Sequence, residues 1–223
     1  FSVLYHRTLN IGRVMSPTLA LIVQREAEID TFKPVPFYTV MLELPGFSVS
    51  GERMADKAAA QQLKTACQGA AATVKKVERK DKSEKPPALY DLTTLQRDAN
   101  RLLGYTAQQT LDYLQNLYEK KLCTYPRTDS RYLTSDMAAS LPELVRLTAE
   151  ALPLADGMEL ACNAAQVIND KKVTDHHAVI PTCNLQGADL TALPVGEKAV
   201  LELVALRLLC AVAQPYTFAE TAI

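Results

Sequence analysis

The sequence has no excess of charge of either sign. Its 24 Lys and Arg stand against 25 Asp and Glu, a formal net charge of −1, so bulk charge gives no indication of a nucleic-acid partner. It also lacks paired cysteines. Cys67, Cys123, Cys162, Cys183 and Cys210 form no Cys-x-x-Cys motif and leave one over. This argues against a disulfide framework or a zinc site and fits a reducing cytoplasm. There is no signal peptide and no apolar run of membrane length, so a membrane partner is not expected. Internal repeats and low-complexity tracts are likewise missing. The chain opens at Phe1 without Met and stops at Ile223 in mid-pattern, which reads as a segment of something longer.

A hydrophobic content of 48% over 223 residues suffices for one large core or two smaller ones. The neutral total hides an asymmetry. Residues 132–223 hold 5 Lys and Arg against 11 Asp and Glu, so residues 1–131 keep an excess of about five positive charges.

Residues 122–132, Leu-Cys-Thr-Tyr-Pro-Arg-Thr-Asp-Ser-Arg-Tyr, carry the types needed for phosphodiester chemistry. Pro126 fixes its own φ and disfavours helix at Tyr125, so the segment is expected to be extended. In an extended segment Tyr125 and Arg127 leave the same face. A guanidinium grips phosphate oxygens in a rigid fork, and its field favours the phenolate of a neighbouring tyrosine. Asp129 and Ser130 add a carboxylate and a hydroxyl, and Lys121 and Arg131 flank the tyrosine with positive charge. Cys123 reads as a small packing residue.

The whole string, from Lys121 through Leu133, resembles the active-site segment of type IA DNA topoisomerases, especially the topoisomerase III branch. Two distant segments extend the resemblance to nearly the whole chain. Gly12-Arg13-Val14-Met15-Ser16-Pro17-Thr18-Leu19 is similar to a strand-contacting segment of that family, although Met15 stands where Gln is common. Asp175-His176-His177-Ala178-Val179-Ile180-Pro181-Thr182 is similar to its His-His-Ala-Ile-Ile-Pro-Thr box. The resemblance implies Tyr125 as the nucleophile that becomes joined to a 5′ phosphate and Arg127 as the phosphate-positioning residue. It implies DNA contacts at Gly12, Arg13, Thr18, Ser130 and Arg131, with His176 and Asp129 in the vicinity of the active site.

The same resemblance implies an α+β multidomain fold, in which part of a β-rich toroidal arch accompanies a mainly helical, winged-helix-like domain carrying the tyrosine. Residues 1–35 would end a base domain, residues 36–87 and 216–223 would belong to the arch, and residues 88–215 would form the tyrosine domain. The family's Glu, Lys and Asp-x-Asp, which carry Mg²⁺, reside in a Toprim domain. No Asp-x-Asp occurs here, so no metal is expected on this chain, and the Toprim domain of the same polypeptide becomes an expected partner beside single-stranded DNA. Alone, the segment is expected to be inactive.

Local patterns predict the elements. Ser16 and Pro17 predict a helix start, and Thr106 with Gln109 a capping box. Residues 37–42, 47–50 and 72–77 read as strands, and 55–67 as a helix. Residues 78–87 read as a polar linker and hinge. Thr94 is expected to cap a helix through Leu103, Ala107, Leu111, Leu114 and Tyr118 to line one apolar stripe, and a strand to hold Tyr125. A helix from Ser135 to Ala151 is expected to kink at Pro142, with a long helix over 194–213 and a strand from 216 to 223. A tyrosine recombinase is disfavoured, since no His has Arg three residues later. A non-catalytic winged-helix binding module remains the alternative.

Overall fold

The computed structural model describes residues 2–8, 12–152 and 160–223. The chain divides into two compact units, residues 1–74 and 75–223, a division earlier in the chain than the 87/88 boundary read from the sequence.

The first unit contains helix α1 (Met15–Asp30), the antiparallel hairpin β1 (Met41–Leu44) and β2 (Phe47–Ser50), and helix α2 (Lys57–Cys67). Gly46 at φ 92° supplies the left-handed turn of the hairpin. The expected Ser16 cap is not made. Helix α1 begins two residues earlier than that cap requires, and Ser16 Oγ instead accepts the Gly12 N–H at 3.2 Å. No strand forms over residues 72–77.

The second unit opens and closes on one antiparallel ribbon. Strand β3 (Glu78–Glu84) pairs with β4 (Tyr216–Ala222) from Glu78↔Ala222 to Glu84↔Tyr216. The polar run read as a linker is therefore strand as far as Glu84. Both its faces are exposed, so it shows none of the alternation that betrays a half-buried strand.

Between the strands lie α3 (Leu92–Leu103), α4 (Ala107–Glu119), α5 (Leu141–Ala151) and α6 (Val195–Ala211). Asp91, not Thr94, caps α3; Thr94 is its reciprocal partner in a capping box. The predicted Thr106–Gln109 box is present on α4. Pro142 starts α5 rather than kinking it, because residues 135–137 form a separate 3₁₀ turn. On α4 the buried side chains are Thr110, Leu114 and Leu117, while Tyr118 stays 40% exposed.

Helix α6 serves two apolar clusters, which is why it is hydrophobic nearly all round. Its Val200, Leu201, Val204 and Ala205 pack with Leu95, Leu114 and Leu117; its Leu208, Leu209 and Ala211 pack with Leu141, Leu144 and Val145. The tyrosine segment spans both clusters, since Leu122 and Cys123 belong to the first and Leu133 to the second. Each Leu of this set is worth about 2–5 kcal/mol against truncation to Ala. The segment is thus clamped at both ends by the core.

Candidate active site

Residues 124–132 are extended but are not part of a regular strand. The strand expected to hold Tyr125 is reduced to an isolated bridge, Cys123↔Pro181. Burial nevertheless alternates from Pro126 to Ser130 as in an extended chain. Pro126, Thr128 and Ser130 point inward and are buried, whereas Arg127 and Asp129 are exposed and Tyr125 half-exposed. The chain bends at Pro126, between Tyr125 and Arg127.

Main-chain and threonine hydrogen bonds stitch this segment to residues 176–182. Thr124 N–H donates to the Ile180 carbonyl at 3.0 Å, and Thr182 N–H to the Leu122 carbonyl at 3.0 Å. The Thr124 hydroxyl accepts from Ile180 N–H at 3.0 Å and donates to the Ala178 carbonyl at 3.1 Å. The Thr128 hydroxyl donates to the His176 carbonyl at 3.0 Å and accepts from Ser130 N–H at 3.1 Å. Two small hydroxyls, one on each side of Tyr125, therefore fix the histidine strand beside it. The Tyr125 and His176 rings lie 4.3 Å apart, tilted by 37°. Tyr118, from the last turn of α4, meets Tyr125 edge-on at 5.5 Å and 84°.

Arg127, Asp129, Asp175 and His176 line one open cleft with Asp91 and Thr93 at the start of α3. Among the described residues the Arg127 side chain makes no hydrogen bond or ion pair, so its fork is available to an anion. The His177 Nδ1 bonds the neighbouring Ala178 carbonyl at 2.8 Å. Burial pushes the Cys123 thiol up to about 12, which makes it an inert packing group.

The other expected contacts divide. Ser130 is buried, and its hydroxyl donates to the Lys172 carbonyl at 2.8 Å. Arg131 is half-buried and its Nε donates to the Leu89 carbonyl at 3.1 Å. Gly12, Arg13 and Thr18 belong to the first unit, where Arg13 is exposed and the Thr18 hydroxyl donates to the Val14 carbonyl at 2.7 Å.

Sequence reasoning missed the support behind the cleft. Residues 88–92 bond the tyrosine segment through Leu92 N–H to Thr128 (3.1 Å) and the histidine segment through Val179 N–H to Tyr90 (2.8 Å). Arg207 of α6 holds them from behind, donating to the Ala88 carbonyl, the Tyr90 hydroxyl and the Asp98 carboxylate. Burial first, then the hydrogen bond to Asp98, pushes Tyr90 up to about 12 despite Arg207. Burial opposes ionisation of Asp98, but Tyr90, Arg207 and Arg101 outweigh it and hold the carboxyl below its ordinary value. Arg and Asp some hundred residues apart leave no local signal of such a contact.

No three or more His, Cys, Asp or Glu among the described residues are grouped to hold a metal ion. The cleft carboxylates Asp91, Asp129 and Asp175 thus do not make up a Mg²⁺ site.

The mixed α+β course of this chain is that of part of a known enzyme. It superposes on the structure of full-length topoisomerase I from Thermotoga maritima with a TM-score of 0.72 and 26% identity, over 96% of this chain and 36% of that one. A family model described as DNA topoisomerase matches residues 2–223, and the chain belongs to the type IA DNA topoisomerase family. Among its relatives, DNA topoisomerase 3 of Bacillus licheniformis is 37% identical over 97% of this chain and 31% of its own length. DNA topoisomerase 3 of Shouchella clausii is 39% identical over 92% and 30%. The chain therefore spans about a third of the length of these relatives. No described helix is long and apolar enough to cross a membrane.

Proposed function

We propose that this chain is the tyrosine-bearing part of a topoisomerase III-like enzyme of the bacterial cytoplasm that breaks and rejoins one DNA strand. The observation that carries the reading is the place of His176, which packs against the Tyr125 ring and lines one open cleft with the unpaired Arg127 guanidinium. The Tyr125 oxygen attacks phosphorus, an O–P bond to tyrosine forms, and the bond to the 3′ oxygen breaks. The phenol loses its proton and the departing 3′ oxygen gains one. The 5′ phosphate stays on tyrosine, so the reverse attack by the 3′ hydroxyl rejoins the strand without ATP. Arg127 offsets the charge that builds on the phosphoryl oxygens, a contribution of about 10²–10³ in rate for a donor of this kind. His176 holds the phenol ring in place from one side.

The family generally uses Mg²⁺, and the residues here do not fit such an ion. In this reading the metal and the group that protonates the 3′ oxygen come from the Toprim domain of the same polypeptide. Residues 36–87 and 216–223 belong to a β-rich toroidal arch, residues 88–215 to a winged-helix-like tyrosine domain, and residues 1–35 to a base that contacts the strand through Gly12, Arg13 and Thr18. Strand passage follows when the arch carries the tyrosine domain away.

The test uses a 3′-labelled single-stranded oligonucleotide, Mg²⁺ and this chain with or without the Toprim-containing remainder. Label should remain on protein only in the complete mixture and only with Tyr125, not with Tyr125→Phe. A reassembled mixture that binds DNA yet forms no adduct would leave a non-catalytic winged-helix binding module.

A further inference from the structure

Helix α4 ends in a Schellman motif with an unusual residue at its turning point. Leu122 N–H donates to the Leu117 carbonyl and Lys121 N–H to the Tyr118 carbonyl, both at 2.8 Å. Leu122 and Leu117 are buried in the same cluster, which completes the motif. The position between them requires a left-handed backbone, and glycine fills it at no steric cost. Here it is Lys121, at φ 62°. At the end of α3 the corresponding residue is Gly104, at φ 73°, so this chain uses glycine where only the turn matters.

Two further observations bear on why a lysine stands there. Its carbonyl accepts from both the Thr182 hydroxyl and Asn184 Nδ2, which pins the Lys121 backbone to the segment that follows the histidines. Its side chain is exposed and makes no hydrogen bond or ion pair among the described residues, unlike its neighbour Lys120, which is paired with the buried Glu197. A costly backbone conformation and a free ammonium do not serve stability, and the doubly anchored main chain fixes where that ammonium starts. Together they suit the presentation of a charge at a fixed place. That place lies four residues before Tyr125, within about 14 Å of chain. It follows Tyr118, whose ring touches Tyr125.

We infer that Lys121 binds a backbone phosphate of the single strand close to the one attacked by Tyr125. The inference rests on the DNA reading proposed above. Lys121 supplies one sequence-independent contact that keeps the strand in register, and the strained turn is retained for that purpose.

The test measures binding of fluorescein-labelled oligothymidylate and oligoadenylate by anisotropy across a series of salt concentrations, together with thermal melting. Lys121→Gln should weaken both oligonucleotides about equally and reduce the magnitude of the salt slope by about 0.7, one single-strand phosphate contact. Lys121→Arg should restore the slope. Lys121→Gly should lose the contact in the same way yet melt about 2–4 °C higher, because the left-handed turn is relieved. Unchanged affinity and slope in the Gln and Gly variants, with the Tyr125 adduct intact, would overturn the role of Lys121 alone. Failure of the unmodified protein to bind either oligonucleotide would overturn the DNA reading and this contact with it.

Discussion

Thr128 shows how much of the site depends on one hydroxyl. It donates to the His176 carbonyl and accepts from Ser130 N–H, and its own carbonyl takes Leu92 N–H. Valine would fill nearly the same volume but leave the His176 carbonyl and the Ser130 amide without these partners. The expected cost of Thr128→Val is about 1–3 kcal/mol by denaturant unfolding. Because the bond lies between the tyrosine and histidine segments, adduct formation should fall further than stability does, with Thr128→Ser restoring both. At this scale the sequence was informative about identity and less so about role. The types and spacing around Tyr125 marked Tyr125 and Arg127 as the reactive residues, but the bend at Pro126 between them had no sequence signal of its own. Beyond that bend the two-residue period of an extended chain puts Ser130 on the face opposite Arg127, and burial gives its hydroxyl an internal partner. The resemblance alone implied a DNA contact at Ser130, whereas its bond to the Lys172 carbonyl has no local signal.

At the scale of elements, the clearest test is the packing of α6 on α4. A Cβ at Gly196 would lie 2.4 Å from the Tyr113 ring, and the ring itself is held edge-on by Tyr105 at 5.3 Å. Gly196→Ala must therefore displace an aromatic ring. A loss of about 1–3 kcal/mol in unfolding free energy is expected, with Tyr113→Leu in the same background recovering part of it. Elements with local signals were legible: the Thr106–Gln109 box is written in four residues, and it formed as read. Strand β3 was not, because a ribbon exposed on both faces has no hydrophobic period to detect. Pro142 was ambiguous for a different reason. Proline suits the first turn of a helix as well as a kink, and only the 3₁₀ turn over Ser135–Met137 decides between them. The Schellman turn at Lys121 was hidden because its usual glycine is absent.

At the scale of the whole molecule, the polar network of Tyr90, Asp98 and Arg207 ties α3 and α6 to residues 88–92 and sets the response to pH. Asp98 has a lowered pKa in the folded chain, so its contribution is present above the unfolded value of about 3.9 and is lost as pH falls through the folded value. Tyr90 is raised from 10.0 to about 12, so its contribution is full below pH 10 and is lost as pH climbs towards 12. Melting temperature against pH should therefore fall away on both limbs. Asp98→Asn should flatten the acid limb and Tyr90→Phe the alkaline one; parallel curves for all three proteins would refute the network's role. Such long-range pairs lie beyond sequence reasoning, because α6 contributes Arg207 from far along the chain.

The account as a whole turns on which atom holds the phosphate. The most direct measurement is mass spectrometry of the trapped adduct, formed with single-stranded DNA in the complete protein and digested with nuclease and trypsin. Cleavage after Lys121 and Arg127 would release residues 122–127 as one peptide. The account predicts that this peptide carries a nucleotide joined through its 5′ phosphate to Tyr125. A nucleotide on another residue, or joined through a 3′ phosphate, would contradict it.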